Sequence, residues 1–113
     1  MQEPRARFCS AVVGDYIYAI GGFNTRRLRS VERYNPATDT WRYVESMNKE
    51  RSHFQCVVYQ NKIYVMGGKS YSRFEGGARK VLNSCEVYDP DTDLWTFTAP
   101  MKQARCLFGA ELF

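Results

Sequence analysis

One seven-residue pattern occurs twice in this chain and limits what the chain can fold into. The stretch IYAIGGF, residues 17–23, is followed 46 positions later by IYVMGGK, residues 63–69. Each copy is an apolar segment that contains a pair of glycines near its end. A match this short can arise by chance, so the surrounding residues decide whether it marks an internal repeat.

Landmarks around both glycine pairs recur in the same order. Before each pair, a methionine, an arginine and a phenylalanine are displaced by 46 positions: Met1, Arg5 and Phe8, then Met47, Arg51 and Phe54. After each pair, VERYNP and CEVYDP, each followed by a tryptophan, are displaced by 54 positions. The landmarks start again at Met101. The sequence therefore contains two complete repeats, 1–46 and 47–100, and the first strand of a third, 101–113.

The apolar segments of each repeat predict β-strands. They are short, rich in Val, Ile, Tyr and Phe, and separated by turn residues, and none has a helical period. We predict four strands per repeat, which in the first repeat cover residues 8–13, 16–20, 31–34 and 41–44.

The second predicted strand is apolar on both faces, since neither alternate set of residues 16–20 carries a charge. Strands of this kind are covered on both sides, as in stacked sheets. A four-stranded sheet that recurs every 40 to 50 residues or so predicts an all-β fold, the β-propeller, in which antiparallel blades stack around a channel. The glycine pair permits backbone angles and close contacts that a side chain would block.

Several function classes are disfavoured by composition. No apolar run approaches the length of a membrane span, and the first residues do not form a secretory signal. We therefore expect a cytoplasmic protein that does not enter a membrane. The four cysteines have no C-x-x-C spacing, and we expect buried, reduced thiols at Cys9, Cys56, Cys85 and Cys106.

The supply of catalytic residues is small. His53 is the only histidine, so a metal site that needs two cannot be built from this chain. Cys56 lies three positions further on, and an odd offset within a strand sends two side chains to opposite faces. We expect no catalytic site, no cofactor and no metal.

Basic residues cluster directly after the two glycine pairs. The predicted loops between the second and third strands, residues 23–30 and 69–84, hold seven basic residues and one acidic residue. Equivalent loops of successive blades emerge on the same face of a propeller, so that face is predicted to be basic. These charges could simply solvate the loops. The alternative is that arginines hold an acidic or phosphorylated peptide.

Aromatic residues accompany these charges at Phe23, Tyr71 and Phe74. Aromatic residues beside arginines are the usual composition of binding hot spots, which favours ligand binding. Phe74 has an equally good alternative position beneath its own loop. Nucleic-acid binding is less favoured, because no recognised nucleic-acid-binding module accompanies the basic loops.

The combined motif M-x-x-x-R-x-x-F, IY-x-x-GG, V-E-x-Y-x-P and a following tryptophan resembles the Kelch repeat over nearly the whole chain. It is most similar to the Kelch propellers of BTB-BACK-Kelch adaptors. That resemblance implies a propeller that captures a protein substrate, while a BTB domain, which these 113 residues do not contain, recruits cullin-3 for ubiquitination. Other Kelch proteins bind actin. Because Met1 occupies the repeat position of Met47 and Met101, we expect the chain to be a piece of a longer propeller.

The resemblance also implies positions for partner contacts and for the core. In Kelch domains, partners contact the residue after the glycine pair, loop arginines, and residues just after the landmark arginine. With the basic and aromatic loop residues, the predicted partner-binding set is Arg7, Phe23, Arg26, Arg27, Arg29, Ser52, His53, Lys69, Tyr71, Arg73 and Phe74. The motif residues expected in the core are Tyr34, Trp41, Tyr88 and Trp95.

Overall fold

A computed structural model describes residues 1–71, 79–81 and 85–98. This part of the chain contains only β-structure, and no helix in it has the length and hydropathy that crossing a bilayer requires. The predicted third-repeat strand, 101–113, lies outside the described residues. The strands are β1 (Cys9–Val13), β2 (Tyr16–Phe23), β3 (Arg27–Asn35), β4 (Thr40–Val44), β5 (Gln55–Tyr59), β6 (Lys62–Met66), β7 (Lys69–Tyr71), β8 (Arg79–Val81), β9 (Cys85–Asp89) and β10 (Leu94–Phe97).

The first repeat forms an antiparallel sheet in the order β1-β2-β3-β4, which we call blade 1. Its central strands are longer than the sequence predicts. β2 continues through the glycine pair to Phe23, which pairs with Arg27 at the start of β3 and with Ala6 on its other side. The predicted loop 23–30 is therefore wrong for most of its length. Main-chain bonds on both sides of Phe23 hold it in strand conformation.

The second repeat forms blade 2, an antiparallel sheet in the order β5-β6-β9-β10. Within its predicted loop, 69–84, the short strands β7 and β8 pair as a two-stranded ribbon. This is another correction to the loop prediction. The prediction of an all-β partial propeller with four-stranded antiparallel blades is confirmed.

The two blades share one hydrophobic core. Tyr18 and Ile20 of blade 1 belong to the same cluster of buried residues as Ile63 and Tyr88 of blade 2. The rings of Tyr18 and Tyr88 meet edge to face, with their centroids 5.7 Å apart. Such aromatic contacts add stability beyond the apolar area that they bury.

Equivalent aromatic residues of the two repeats differ in burial. Tyr88 and Trp95 are buried, as predicted, whereas Tyr34 and Trp41 are only half-buried. The core prediction is therefore wrong for the first repeat. Blade 1 covers the face of blade 2 that carries Tyr88 and Trp95, but no sheet among the described residues covers the equivalent face of blade 1.

We expect the isolated chain to self-associate. Large apolar side chains are exposed on the uncovered sides of both blades, including Val12 and Tyr43 of blade 1 and Tyr59 and Leu94 of blade 2. A blade in a repeat array normally buries such faces against a neighbour, and exposed apolar patches favour association. Analytical ultracentrifugation combined with thermal unfolding tests this. A monodisperse monomer with one sharp cooperative transition would contradict it.

Candidate ligand-binding face

A buried ion pair fixes the start of each repeat. Arg5 Nη2 lies 3.1 Å from Glu32 Oε2, Arg51 Nη2 lies 3.1 Å from Glu86 Oε2, and all four side chains are fully buried. Each carboxylate also accepts hydrogen bonds from two main-chain N–H groups near the start of its repeat. Ionised partners make these bonds stronger than neutral ones. Each pair therefore holds the segment before the first strand of its repeat against the strand that carries the glutamate, which is β3 in blade 1 and β9 in blade 2.

Arg51 also connects the two blades. Its guanidinium belongs to blade 2, where Nη1 donates to the carbonyl oxygen of Gly67 at 2.9 Å. Its main chain is bonded to blade 1. The Arg51 carbonyl oxygen accepts the Gly22 N–H at 2.7 Å, and the Arg51 N–H donates to the Leu28 carbonyl oxygen at 3.1 Å. The next two residues, Ser52 and His53, are thereby held against blade 1.

The first glycine pair is confined between segments of both repeats. A Cβ atom on Gly21 would lie 2.9 Å from the Arg51 carbonyl oxygen, and one on Gly22 would lie 2.7 Å from the Ala6 carbonyl oxygen. Both glycines have positive φ angles, +59° and +98°. Only glycine combines this backbone conformation with contacts this close.

These constraints bring most of the predicted partner-binding residues in the described part to one place, which we call the basic face. It consists of Arg7, Phe23, Arg26, Arg27, Ser52 and His53. Phe23 is 40% exposed, and Arg7, Arg26 and His53 are also exposed. Arg29 is exposed as well, and its carbonyl oxygen accepts the Met47 N–H at 2.8 Å.

Ser52 supports its neighbours from beneath the surface. Its side chain is fully buried, so it does not reach solvent as a direct contact residue would. Arg27 Nε donates to Ser52 Oγ at 2.8 Å, and His53 Nδ1 lies 3.1 Å from the same oxygen. Among the described residues no acceptor bonds the terminal nitrogens of Arg27. The serine thus fixes the half-buried Arg27 while leaving its outer donors available.

The backbone is strained where Arg7 and His53 meet. Both residues lie in the left-handed region, with φ of 55° and 56°, and the His53 N–H donates to the Arg7 carbonyl oxygen at 3.2 Å. A residue with a side chain in this region costs about 1 kcal/mol or more, and such residues cluster at functional sites. The two equivalent repeat positions, 46 residues apart, become neighbours across the blade boundary.

The arginines of the basic face lack carboxylate partners within the described part of the chain. There, every ion pair involves Arg5 or Arg51. Arg7, Arg26 and Arg27 can therefore offer planar groups of N–H donors to a carboxylate or phosphate. Because these three arginines lie close together, the electrostatic potential at this face is predicted to be positive.

Four predicted residues from the second loop remain predictions. Lys69 and Tyr71 belong to β7, and the structure describes their backbone only. Arg73 and Phe74 lie outside the described residues.

The described residues form no group of three or more His, Cys, Asp or Glu that could hold a metal ion. Cys56 Sγ donates to the Ser10 carbonyl oxygen at 3.6 Å, across the boundary between the blades.

Comparisons with known proteins agree with the repeat pattern. The family model of the Kelch motif matches residues 4–48 and 50–102. Kelch-like protein 36 of Bos taurus is 37% identical over 119 aligned positions, which cover 100% of this chain and 18% of that protein. An F-box/kelch-repeat protein of Arabidopsis thaliana is 34% identical over an alignment that covers 93% of this chain and 23% of that protein. The chain thus spans about a fifth of these relatives.

A solved structure supports the fold. A fungal alcohol oxidase in complex with copper has a TM-score of 0.71 over 85% of this chain and 22% of that protein, at 18% sequence identity. At this identity the likeness concerns the fold alone.

Proposed function

This chain belongs to the Kelch-repeat family of protein-interaction modules, and from that premise we propose that its basic face binds an acidic or phosphorylated segment of a partner protein. The observation that supports the proposal is a group of arginines beside the exposed Phe23 that have no carboxylate partner among the residues described. Arginine binds carboxylates and phosphates through paired hydrogen bonds, and an adjacent aromatic ring adds apolar contact area.

The larger role that we propose is substrate recognition for a cytoplasmic BTB-Kelch adaptor of a cullin-3 ubiquitin ligase. A match to Kelch-like protein 36 along the whole chain supports this assignment. The alternative is a Kelch protein that binds actin, which would share the same repeat motifs. The F-box/kelch-repeat relative shows by its name that kelch repeats occur beside other domains. The domain that adjoins the repeats in the full-length protein therefore discriminates between the adaptor and the actin-binding protein.

The in-frame sequence 5′ of the Met1 codon tests the adaptor proposal directly. A BTB domain encoded there would support it. A different domain, or a full-length product without BTB, would overturn it while leaving the proposed peptide-binding face untouched. Co-sedimentation of the full-length product with filamentous actin examines the alternative.

Charge reversal tests the basic face. We expect Arg26→Glu combined with Arg27→Glu to weaken binding of a fluorescein-labelled peptide rich in glutamate and phosphoserine by more than tenfold, about 1.4 kcal/mol. The physical reason is the loss of two donor groups and their replacement by repelling carboxylates. Fluorescence anisotropy at physiological salt measures the affinity.

Arg42→Glu combined with Lys62→Glu is the matched control, because it makes the same change in net charge at exposed positions of β4 and β6 outside the basic face. An equal loss of affinity in this control would indicate non-specific attraction. Unchanged affinity in the Arg26 and Arg27 variant would mean that these arginines only solvate the edge. Failure of the unmodified protein to bind either a glutamate-rich or a phosphoserine peptide would remove the acidic-ligand proposal.

A further inference from the structure

Two cysteines approach each other across the boundary between the blades. Cys9 lies on β1 and Cys56 on β5, and each is the edge strand of its own sheet. Cys9 Sγ donates to the Phe54 carbonyl oxygen at 3.1 Å, and Cys56 Sγ donates to the Ser10 carbonyl oxygen at 3.6 Å. Each thiol thus contacts a carbonyl oxygen of the other repeat within two residues of the other cysteine.

This arrangement corrects part of the cysteine prediction. Cys85 is buried, as expected, but Cys9 and Cys56 are only half-buried because they lie at the rim between the blades. All three carry free thiols, and Cys106 lies outside the described residues. Partial exposure gives a small oxidant access to the cross-blade pair.

The two thiols are electrostatically unequal. Its interaction with the Cys56 side chain and its burial raise the pKa of the Cys9 thiol. The same contact lowers the pKa of Cys56. Since the thiolate is the nucleophile in thiol chemistry, Cys56 is the group suited to react first.

We propose that Cys9 and Cys56 form an oxidation site at which a hydroperoxide converts the two thiols into a disulfide that joins blade 1 to blade 2. The site and its chemistry are independent of the proposed ligand.

The reaction balances in two steps. The Cys56 thiolate attacks one oxygen of the hydroperoxide; an S–O bond forms, the O–O bond breaks, and the other oxygen leaves as water or an alcohol after taking up a proton. The Cys9 sulfur then attacks the sulfenic acid sulfur of Cys56; the S–S bond forms, the S–O bond breaks, and water leaves with the Cys9 proton. The thiols lose two electrons, which reduce the hydroperoxide.

The position of the disulfide gives it a structural effect. The Cys9 thiol already contacts the carbonyl group of Phe54, the residue that follows His53. A covalent link here would restrict relative motion of the blades close to the main-chain bond between Arg7 and His53. Cys85 provides an internal comparison, because its buried side chain packs with Met66 in a separate cluster.

Oxidation of the 113-residue chain by hydrogen peroxide tests the proposal. The protein is treated in native buffer and, in parallel, in guanidinium chloride, then alkylated and digested for mass spectrometry without reduction. We expect a Cys9–Cys56 linked peptide pair, with the loss of two hydrogen atoms, to dominate in native buffer. In guanidinium chloride we expect a mixture of linkages among all four cysteines.

Variants identify the reacting sulfur. With dimedone present, Cys9→Ser should accumulate a sulfenic acid adduct at Cys56, whereas Cys56→Ser should give less adduct at Cys9. Cys85→Ser is the matched control and should form the Cys9–Cys56 link normally. The same mixture of linkages with and without guanidinium chloride, or predominantly intermolecular links, would overturn the proposal. This comparison on the unmodified chain decides the matter even if a serine variant fails to fold.

Discussion

Replacing Glu86 by glutamine is expected to lower the free energy of unfolding by about 3 kcal/mol or more, the usual range for breaking a buried ion pair. The Glu86 carboxylate accepts the N–H groups of Asn48 and Lys49 and two donors of Arg51. Glutamine has the same shape, but it removes the negative charge and turns an amide NH₂ toward groups that are themselves donors. The buried Arg51 guanidinium would then lose the negative charge of Glu86.

Urea unfolding followed by tryptophan fluorescence measures this loss, at the lowest protein concentration that gives a signal. Glu50→Gln is the matched control, because Glu50, the fourth residue of the second repeat, is exposed. It should change stability by no more than about 0.5 kcal/mol. A similar small effect for Glu86→Gln would mean that the Arg51 guanidinium finds compensating acceptors, and the fastening role of the pair would be wrong.

The second large effect is expected from the tryptophan of the second repeat. Trp95 is 7% exposed, its ring centroid lies 5.0 Å from that of Tyr88, and its Nε1 donates to the Glu45 carbonyl oxygen of blade 1 at 2.8 Å. Trp95→Ala would leave a cavity and an unbonded carbonyl between the blades. We expect a loss of about 3 to 5 kcal/mol.

Trp41→Ala is the matched comparison, because Trp41 occupies the same repeat position and meets Tyr34 at the same 5.0 Å centroid distance. Trp41 is only half-buried, so its replacement should cost clearly less. The free energy of unfolding of both variants is measured at several protein concentrations, which shows whether self-association buries Trp41. Equal costs at every concentration would contradict the difference in burial, whereas a Trp41 cost that grows with concentration would show that a second copy covers this face.

Much of the fold could be predicted from residue patterns, and the misses have a physical origin. Short β-branched and aromatic segments gave the four strands of each blade because their spacing and turn residues are local properties. The extension of β2 to Phe23 and of β3 to Arg27 depends on main-chain pairing, including the pair with Ala6. Main-chain pairing leaves little trace in side-chain identity, so the polar residues in this region predict a loop.

The candidate site was predictable in composition but not in detail. Arg7, Phe23 and Arg26 are exposed, and their role in binding stays a prediction. The burial of Ser52 could not be predicted, because serine is common both inside and outside proteins. The left-handed backbone of Arg7 was equally hidden, since arginine does not favour that region, and the enrichment of histidine there is too weak to single out His53.

The arginine–glutamate pairs were missed although the sequence contains a signal for them. Each repeat has the landmark arginine before the glycine pair and a glutamate in the V-E-x-Y or C-E-V-Y segment after it. A charged residue that recurs at equivalent positions among apolar neighbours indicates a buried partner of opposite charge. Pairing the two landmarks by charge would have found both contacts.

The double attachment of Arg51 has a consequence for how a binding specificity can be moved between proteins of this type. Arg51 begins the stretch that carries Ser52 and His53, yet its main chain is bonded to Gly22 and Leu28 of the preceding repeat. Arg27, which Ser52 orients, also comes from that preceding repeat. Grafting either sequence repeat alone into another propeller would therefore transplant half of a recognition surface. An intact graft would have to continue past the boundary at 46/47 and include at least residues 1–54.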